Sequence, residues 1–315
     1  MSGQHRRAQR PINYTRRRLL VLGVAAGVTA GIGAAIGPVE QLAHDAEGLY
    51  NQWTGNCQAP SGQLGCTPRG TNVSGSFMSS YRRRRVHYTV GYPTGHGPGS
   101  TLPLVFMLHG FGGSNGSVGG YSPAQAASMS IGLPSGAPLA IVTMDGGQGY
   151  WHPHPGDDPM GMIVHEMIPM LRRWGLGRGR DAIGAMGISM GGYGAIALAE
   201  NYPTLFRAVA AISPAIFVTY EHVHYVNPGA YVNAADFARY DAVTHTAALS
   251  RTPLRVASGD RYPFHPWVED FERALPEHSP ATFLYPPGEH NEDFFGPQIA
   301  PSVTFLAEHL HIETE

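Results

Sequence analysis

The stretch "GAMGISMGGYGA", residues 184–195, sets a single serine, Ser189, between glycines. Glycine supplies 41 of the 315 residues, so the pattern has to be weighed by its flanks. Before it, "AIGAMGI" is a short continuous apolar run that suits a strand. After it, "GGYGAIALAENYP" suits a helix closed by Pro203. A sharp strand-to-helix turn is the setting of a nucleophile elbow, where a serine Oγ is exposed at the top of a sheet. Gly187 and Gly191 suit that turn, because side chains there would clash as the two backbones approach. The helix behind Ser189 also points its N-terminal dipole at a developing oxyanion. The competing reading, an idle serine in a glycine-rich turn, is disfavoured by the strand before it and the helix after it.

Working outward, "VHYTVGY" (86–92) alternates apolar and polar residues as an outer antiparallel strand does. "PLVFMLH" (103–109) and "LAIVTMD" (139–145) are apolar runs of the kind buried on both faces of a sheet. "RAVAAIS" (207–213), "PLRVAS" (253–258) and "ATFLYP" (281–286) continue the strand series. "MGMIVHEMIPMLRRW" (160–174) and "PQIAPSVTFLAEHL" (297–310) carry helical spacing. The alternation predicts one α/β domain over residues 81–315, a mostly parallel, doubly wound sheet with helices on both faces. Residues 41–80, rich in Gly, Ser, Asn and Gln, are expected to form a linker or irregular lead-in. The run Arg82–Arg85 is expected to be solvated at the start of the first strand, with a surface for anionic lipid as the alternative.

A serine hydroxyl needs a base. His290, in "FLYPPGEHNEDFF" just beyond the last predicted strand, is expected at the same edge of the sheet as Ser189. Near its ordinary pKa of about 6.5, such a base would make activity rise through roughly pH 6 to 7. Asp260, directly after "PLRVASG", is the candidate acid that orients it, with Glu269 and Asp270 in reserve. The order Ser189, Asp260, His290 is the nucleophile–acid–base order of α/β-hydrolases. An oxyanion hole needs two preorganised N–H groups. They are expected from Met190, after the nucleophile, and from Phe111 in "HGFGG" (109–113). In "GYWHPHPGDDP" (149–159) the histidines and aspartates lack clear metal-ligand spacing, so no metal is expected. Trp151 and His152 are instead expected to line the substrate cleft. The Tyr- and His-rich insertion at residues 217–241 is expected either to cover the acyl pocket or to pack on the sheet edge.

The hydrophobic share of 43% and net charge of −2 suit a globular protein and give no footprint for nucleic acid. All 21 basic residues are arginine, which removes lysine nucleophiles and Schiff-base chemistry. At the N-terminus an Arg-rich segment containing "TRRRLL" precedes a weakly apolar run, Leu19–Gly37. This is the layout of an export signal, with Arg16 and Arg17 as a twin-arginine pair. Two readings of residues 1–40 stand side by side, a cleaved signal and a retained anchor that associates the protein with the membrane. Glycines 23, 27 and 31 have the spacing found in packed transmembrane helices. In an oxidising compartment Cys57 and Cys66 are expected to form a disulfide, stabilising by about 2.5–3 kcal/mol in the chain-entropy model.

The four blocks "LHGFGG", "GISMGGYGA", "FRAVAAISP" and "PPGEHNEDFF", in this order over roughly residues 80 to 312, resemble an esterase family. It includes esterase D, the ferulic acid and enterochelin esterases and the antigen 85 mycolyltransferases. "VTMDGGQGYWHP" and "YPPGEHNEDFFGPQI" lean toward the antigen 85 side. The resemblance implies an α/β-hydrolase fold, a Ser-His-acid triad at Ser189 and His290, no cofactor, and a small-molecule, lipid or sugar ester as substrate. One departure stands out: many relatives place the acid three residues after a glycine, where this chain has Tyr262. The implied function is an exported serine esterase or acyltransferase. The alternative is a catalytically silent envelope protein that binds lipid, sugar or matrix.

Overall fold

The computed structural model describes residues 70–312. The export segment and the Cys57–Cys66 pair lie outside the described residues. Eight strands form one sheet: β1 (Thr71–Ser79), β2 (Arg84–Tyr92), β3 (Leu104–Leu108), β4 (Ala140–Met144), β5 (Ile183–Ile188), β6 (Val209–Ile212), β7 (Leu254–Ala257) and β8 (Ala281–Leu284). Their spatial order is β1-β2-β4-β3-β5-β6-β7-β8. β2 runs antiparallel to both β1 and β4, and every other pairing is parallel.

The helices are α1 (Pro123–Ser128), α2 (Pro159–Gly161), α3 (Ile168–Arg173), α4 (Met190–Asn201), α5 (Tyr220–Val226), α6 (Ala234–Tyr240), α7 (His265–Ala274) and α8 (Glu292–His309). A π-helical turn, Met162–Met167, joins α2 to α3. There Ile168 N–H donates five residues back to Ile163, and the following Pro169 has no N–H with which to resume the ordinary ladder.

The central strands are buried along their whole length, which is why they read as unbroken apolar runs. Alternate residues go to opposite faces. Leu104, Phe106 and Leu108 pack with Ile163, Leu171, Ile196 and Phe271, on the side of α3, α4 and α7. Val105 and Met107 pack with Ala127, Phe295, Val303 and Leu306, on the side of α1 and α8. This is the doubly wound α/β-hydrolase fold.

Two expectations are corrected. The lead-in is not irregular up to residue 80, since β1 pairs residue for residue with β2, from Thr71↔Tyr92 to Ser79↔Arg84. As an edge strand it half-buries alternate positions (Val73, Gly75, Phe77) and fully buries only Ser79 at its end, so its polar composition concealed it. Nor is Arg82 solvated. Its side chain is 2% exposed and grips Asp157 through two contacts, Nε–Oδ1 at 2.6 Å and Nη2–Oδ2 at 2.9 Å. It also donates to the carbonyl of Asp145. Burial would raise the Asp157 carboxyl, but the Arg82 bonds and charge, with Arg84 and His154 adding, hold it below the usual range. The arginine thereby fixes the loop that leaves β4 toward the site.

Candidate active site

Ser189 stands between β5 and α4 with φ 57° and ψ −119°, a left-handed conformation that a non-glycine residue adopts only under constraint. The constraint is visible on both sides. Ser189 N–H donates to Ile212 O on β6 at 2.9 Å, and Ser189 O accepts from Ala215 at 3.0 Å. A Cβ at Gly187 would lie 2.3 Å from Gly191 O, and one at Gly191 would lie 2.1 Å from Leu108 O. Both glycines are therefore demanded by close backbone approach.

His290 is supplied by the loop between β8 and α8. Asn291 ends that loop by capping α8, its side chain accepting from Phe294 N–H at 3.2 Å, and Glu292 and Asp293 occupy the first helical turn. His290 has no solvent exposure, and its Nε2 lies 2.9 Å from Ser189 Oγ. The two residues are 101 positions apart in the chain and are joined by the sheet.

Met190 is the first residue of α4, so its amide is one of the helix N-terminal N–H groups without an intrahelical acceptor. Phe111 lies across the cleft in the loop after β3. That loop is braced by residues the sequence did not single out. The His109 ring bridges Gly110 O (Nδ1, 2.8 Å) and Gly146 N–H (Nε2, 3.0 Å). Only the neutral tautomer carrying its proton on Nδ1 satisfies both contacts. Burial lowers the His109 pKa, which favours that neutral form. Gln148 accepts from Gly112 N–H at 2.6 Å, and Gly113 N–H donates to Gly110 O at 3.1 Å. Histidine as the first residue of "HGFGG" was the available signal, while Gln148 had none.

A cleft of about 150 Å³ opens over Ser189 and His290. It is lined by the 109–113 loop and by Ser117, Val118, Gly119, Ile188, Glu292 and Phe295. Glu292, like Gln148, carries no motif that marks it in the sequence. Burial pushes its carboxyl up, and the neighbouring Asp293 adds to the effect.

Asp260 is exposed, and its Oδ1 accepts from Gly288 N–H at 3.0 Å. With Asp260 N–H to Pro286 O (3.1 Å) and Arg261 N–H to Gly288 O (3.0 Å), it ties the loop after β7 to the one carrying His290. The reserve carboxylates, Glu269 and Asp270, lie on α7, where both meet Arg273.

Trp151 and His152, expected in the cleft, are both fully buried and do not line it. Positive φ at Tyr150 (54°) and Trp151 (61°) turns the chain inward. The indole fills space against Gly194 of α4, where a Cβ would sit 2.7 Å from it, and its Nε1 donates to His109 O at 3.2 Å. His152 is enclosed by the 217–241 insertion, stacked between Tyr231 (4.5 Å) and Tyr240 (4.7 Å). The insertion packs against α4, with Tyr193 Oη donating to Tyr240 O at 2.5 Å, and it does not line the cleft. Among the described residues no group of three or more His, Cys, Asp or Glu is gathered to hold a metal, and no helix is long and apolar enough to cross a membrane.

The family model described as "Putative esterase" matches residues 79–275, a span that contains Ser189, Phe111 and Asp260 and ends before His290. No curated protein matches the chain. Among solved structures, a ferulic acid esterase superposes with TM-score 0.65 at 18% identity, covering 77% of this chain and 100% of its own. An S-formylglutathione hydrolase from Agrobacterium tumefaciens gives 0.60 at 20% identity, covering 80% and 99%. Mycobacterium tuberculosis MPT51 (FbpC1) gives 0.57 at 15%, covering 76% and 99%. At these identities the superpositions speak for the fold. The family match covers more than half of the chain, and the chain accordingly belongs to this esterase family, as a carboxylic-ester hydrolase.

Proposed function

We propose that this chain is an exported serine esterase or acyltransferase that works through an acyl-enzyme on Ser189. The observation that carries the proposal is the 2.9 Å contact between Ser189 Oγ and His290 Nε2 on a strained elbow. Ser189 Oγ attacks the ester carbonyl as His290 Nε2 takes its proton. The tetrahedral oxyanion is held by the amides of Met190 and Phe111, and collapse expels the alcohol, which receives the proton from His290. The same imidazole then activates water, or a second alcohol, to release the acyl group. A Lewis acid has no step to perform in this sequence.

Export rests on the Arg-rich segment ahead of Leu19–Gly37, and it would place the substrate at or beyond the outer face of the membrane. Treatment with a fluorophosphonate probe is expected to phosphonylate Ser189, with Ser189→Ala losing both the label and p-nitrophenyl ester turnover. Folded protein that takes no label would instead favour the silent, binding reading. Supplying a sugar acceptor alongside the acyl donor and looking for the transferred ester separates transferase from hydrolase.

A further inference from the structure

The face of the His290 imidazole is covered by an aromatic ring. Tyr262 lies with its ring centroid 4.3 Å away and only 12° from parallel, and Phe295 meets the same imidazole edge-on at 4.8 Å and 82°. Tyr262 is itself held rigidly. It is 2% exposed, its N–H donates to Gly259 O at 3.1 Å, and Phe264 packs on it edge-on at 5.4 Å. Its hydroxyl finds no hydrogen-bond partner among the described residues. Burial pushes the phenol pKa well up, which favours the neutral phenol. What this side chain offers the site is its ring.

We infer that Tyr262 is the positioning residue of the general base, holding the His290 plane by stacking and stabilising the imidazolium that forms when Ser189 is deprotonated. This rests on the Ser189–His290 reading above. Two effects are expected of a parallel ring at this distance. It restricts imidazole rotation, so that Nε2 stays aimed at Ser189 Oγ. It also presents the negative face of its quadrupole to the cation, an effect worth a few-fold to about thirtyfold in an equilibrium. The residue stands three places after Gly259, where the motif resembled by this chain carries a carboxylate, and the nearby Asp260 carboxylate faces solvent and engages Gly288.

The test compares Tyr262→Leu, which keeps an apolar side chain but removes the ring, with Tyr262→Phe, which keeps the ring and removes only the hydroxyl. Tyr262→Leu is expected to lower kcat about 10- to 100-fold with KM little changed, and to move the acid limb of kcat/KM to lower pH. Tyr262→Phe should remain within about twofold of the parent in both respects. Among the described residues, the other titratable or charged groups of the cleft and the tethered loops are Glu292, His109, Asp260, Arg261 and Glu289, with Asp293 beside Glu292 in the first turn of α8. All are the same in both variants, so the difference isolates the ring. Thermal melts establish folding, and Tyr262→Met replaces the leucine variant if that one does not fold. Parent-like kcat and pH profile in a folded ringless variant overturn the inference, as does a Phe variant impaired like Leu. Ser189→Ala is the separate control: if it keeps turnover, the reading of the site itself fails, whatever Tyr262 does.

Discussion

His290 and His152 make an instructive pair. Both imidazoles are fully buried, and both lie against tyrosine rings, Tyr262 for the first and Tyr231 and Tyr240 for the second. They differ in what Nε2 faces. In His290 it faces the Ser189 hydroxyl at the floor of the cleft, whereas in His152 it faces the Ala230 carbonyl at 2.7 Å. A carbonyl can only accept, and Nδ1 also faces one, Pro153 O at 3.2 Å, so a neutral His152 ring donates to one of two backbone carbonyls and meets no hydroxyl. Burial, followed by the charge of His154, lowers the His152 pKa to about 4 and keeps the ring neutral. Burial and aromatic packing therefore do not by themselves make a histidine a base. The group facing its nitrogen is what separates the two rings.

Exchanging each ring for phenylalanine gives the widest separation between the two. His290→Phe is expected to lower kcat/KM by about 10³-fold or more, the scale seen when a triad member is lost. His152→Phe should leave the activity of folded protein within about twofold while altering stability. In the unfolded chain His152 titrates near 6.5. Its folded pKa of about 4 means that the unfolded state binds more protons between these values. The stability it contributes is complete above about pH 6.5 and is lost as pH falls toward 4, by roughly 3 kcal/mol at most. Denaturant melts from pH 4 to 8 should show a flatter acid limb in the variant. An unchanged slope would contradict the neutral, buried assignment.

His109 sharpens the comparison from the middle, because it neither reacts nor sits far from the reaction. Its two bonds set the position of the loop bearing Phe111. His109→Phe should lower kcat about 10- to 100-fold with KM nearly constant, less than the 10²–10³-fold typical of losing an oxyanion donor outright. A variant that raised KM alone would place His109 in substrate binding instead.

The smallest effect is expected at Glu200, the buried carboxyl of α4. Burial and then the charge of Asp241 hold its pKa well above the usual range. The folded state therefore keeps it protonated, and the stability tied to it is fullest below about pH 4.5 and declines as pH rises toward the folded pKa. Glu200→Gln should match the parent near pH 4 and melt higher than it at pH 8, with activity unchanged. A variant less stable at pH 8 would assign the ionised carboxylate a structural bond.

The elbow was legible because its determinants are local. Gly187, Ser189 and Gly191 fall within five residues, and the apolar run before them and the helical segment after them announce the turn. The parallel strands were legible for the same reason, each being buried on both faces. β1 was not, because this edge strand half-buries Val73, Gly75 and Phe77 and fully buries only a serine, Ser79, and its place is set by pairing with β2 rather than by its own composition. Trp151 and His152 misled because their inward course depends on positive φ at two non-glycine residues and on room beside Gly194, neither of which has a pattern in the chain. Asp260 follows β7 as its place in the chain suggests, but its exposure and its bond to Gly288 N–H depend on how two loops meet and have no pattern in the sequence.

The sequence by itself determined the alternation of elements, the α/β-hydrolase sheet they build and the pairing of Ser189 with a histidine beyond the last strand. Those follow from hydrophobic period, glycine placement and chain order, which act over a few residues at a time. Only the tertiary structure decided that a tyrosine ring covers His290, that His109 braces the loop bearing Phe111 and that Arg82 is buried against Asp157. Each of these joins residues from separate loops across the edge of the sheet. Their separation and burial in space are set by how the whole sheet twists and packs, and no short stretch of chain encodes that.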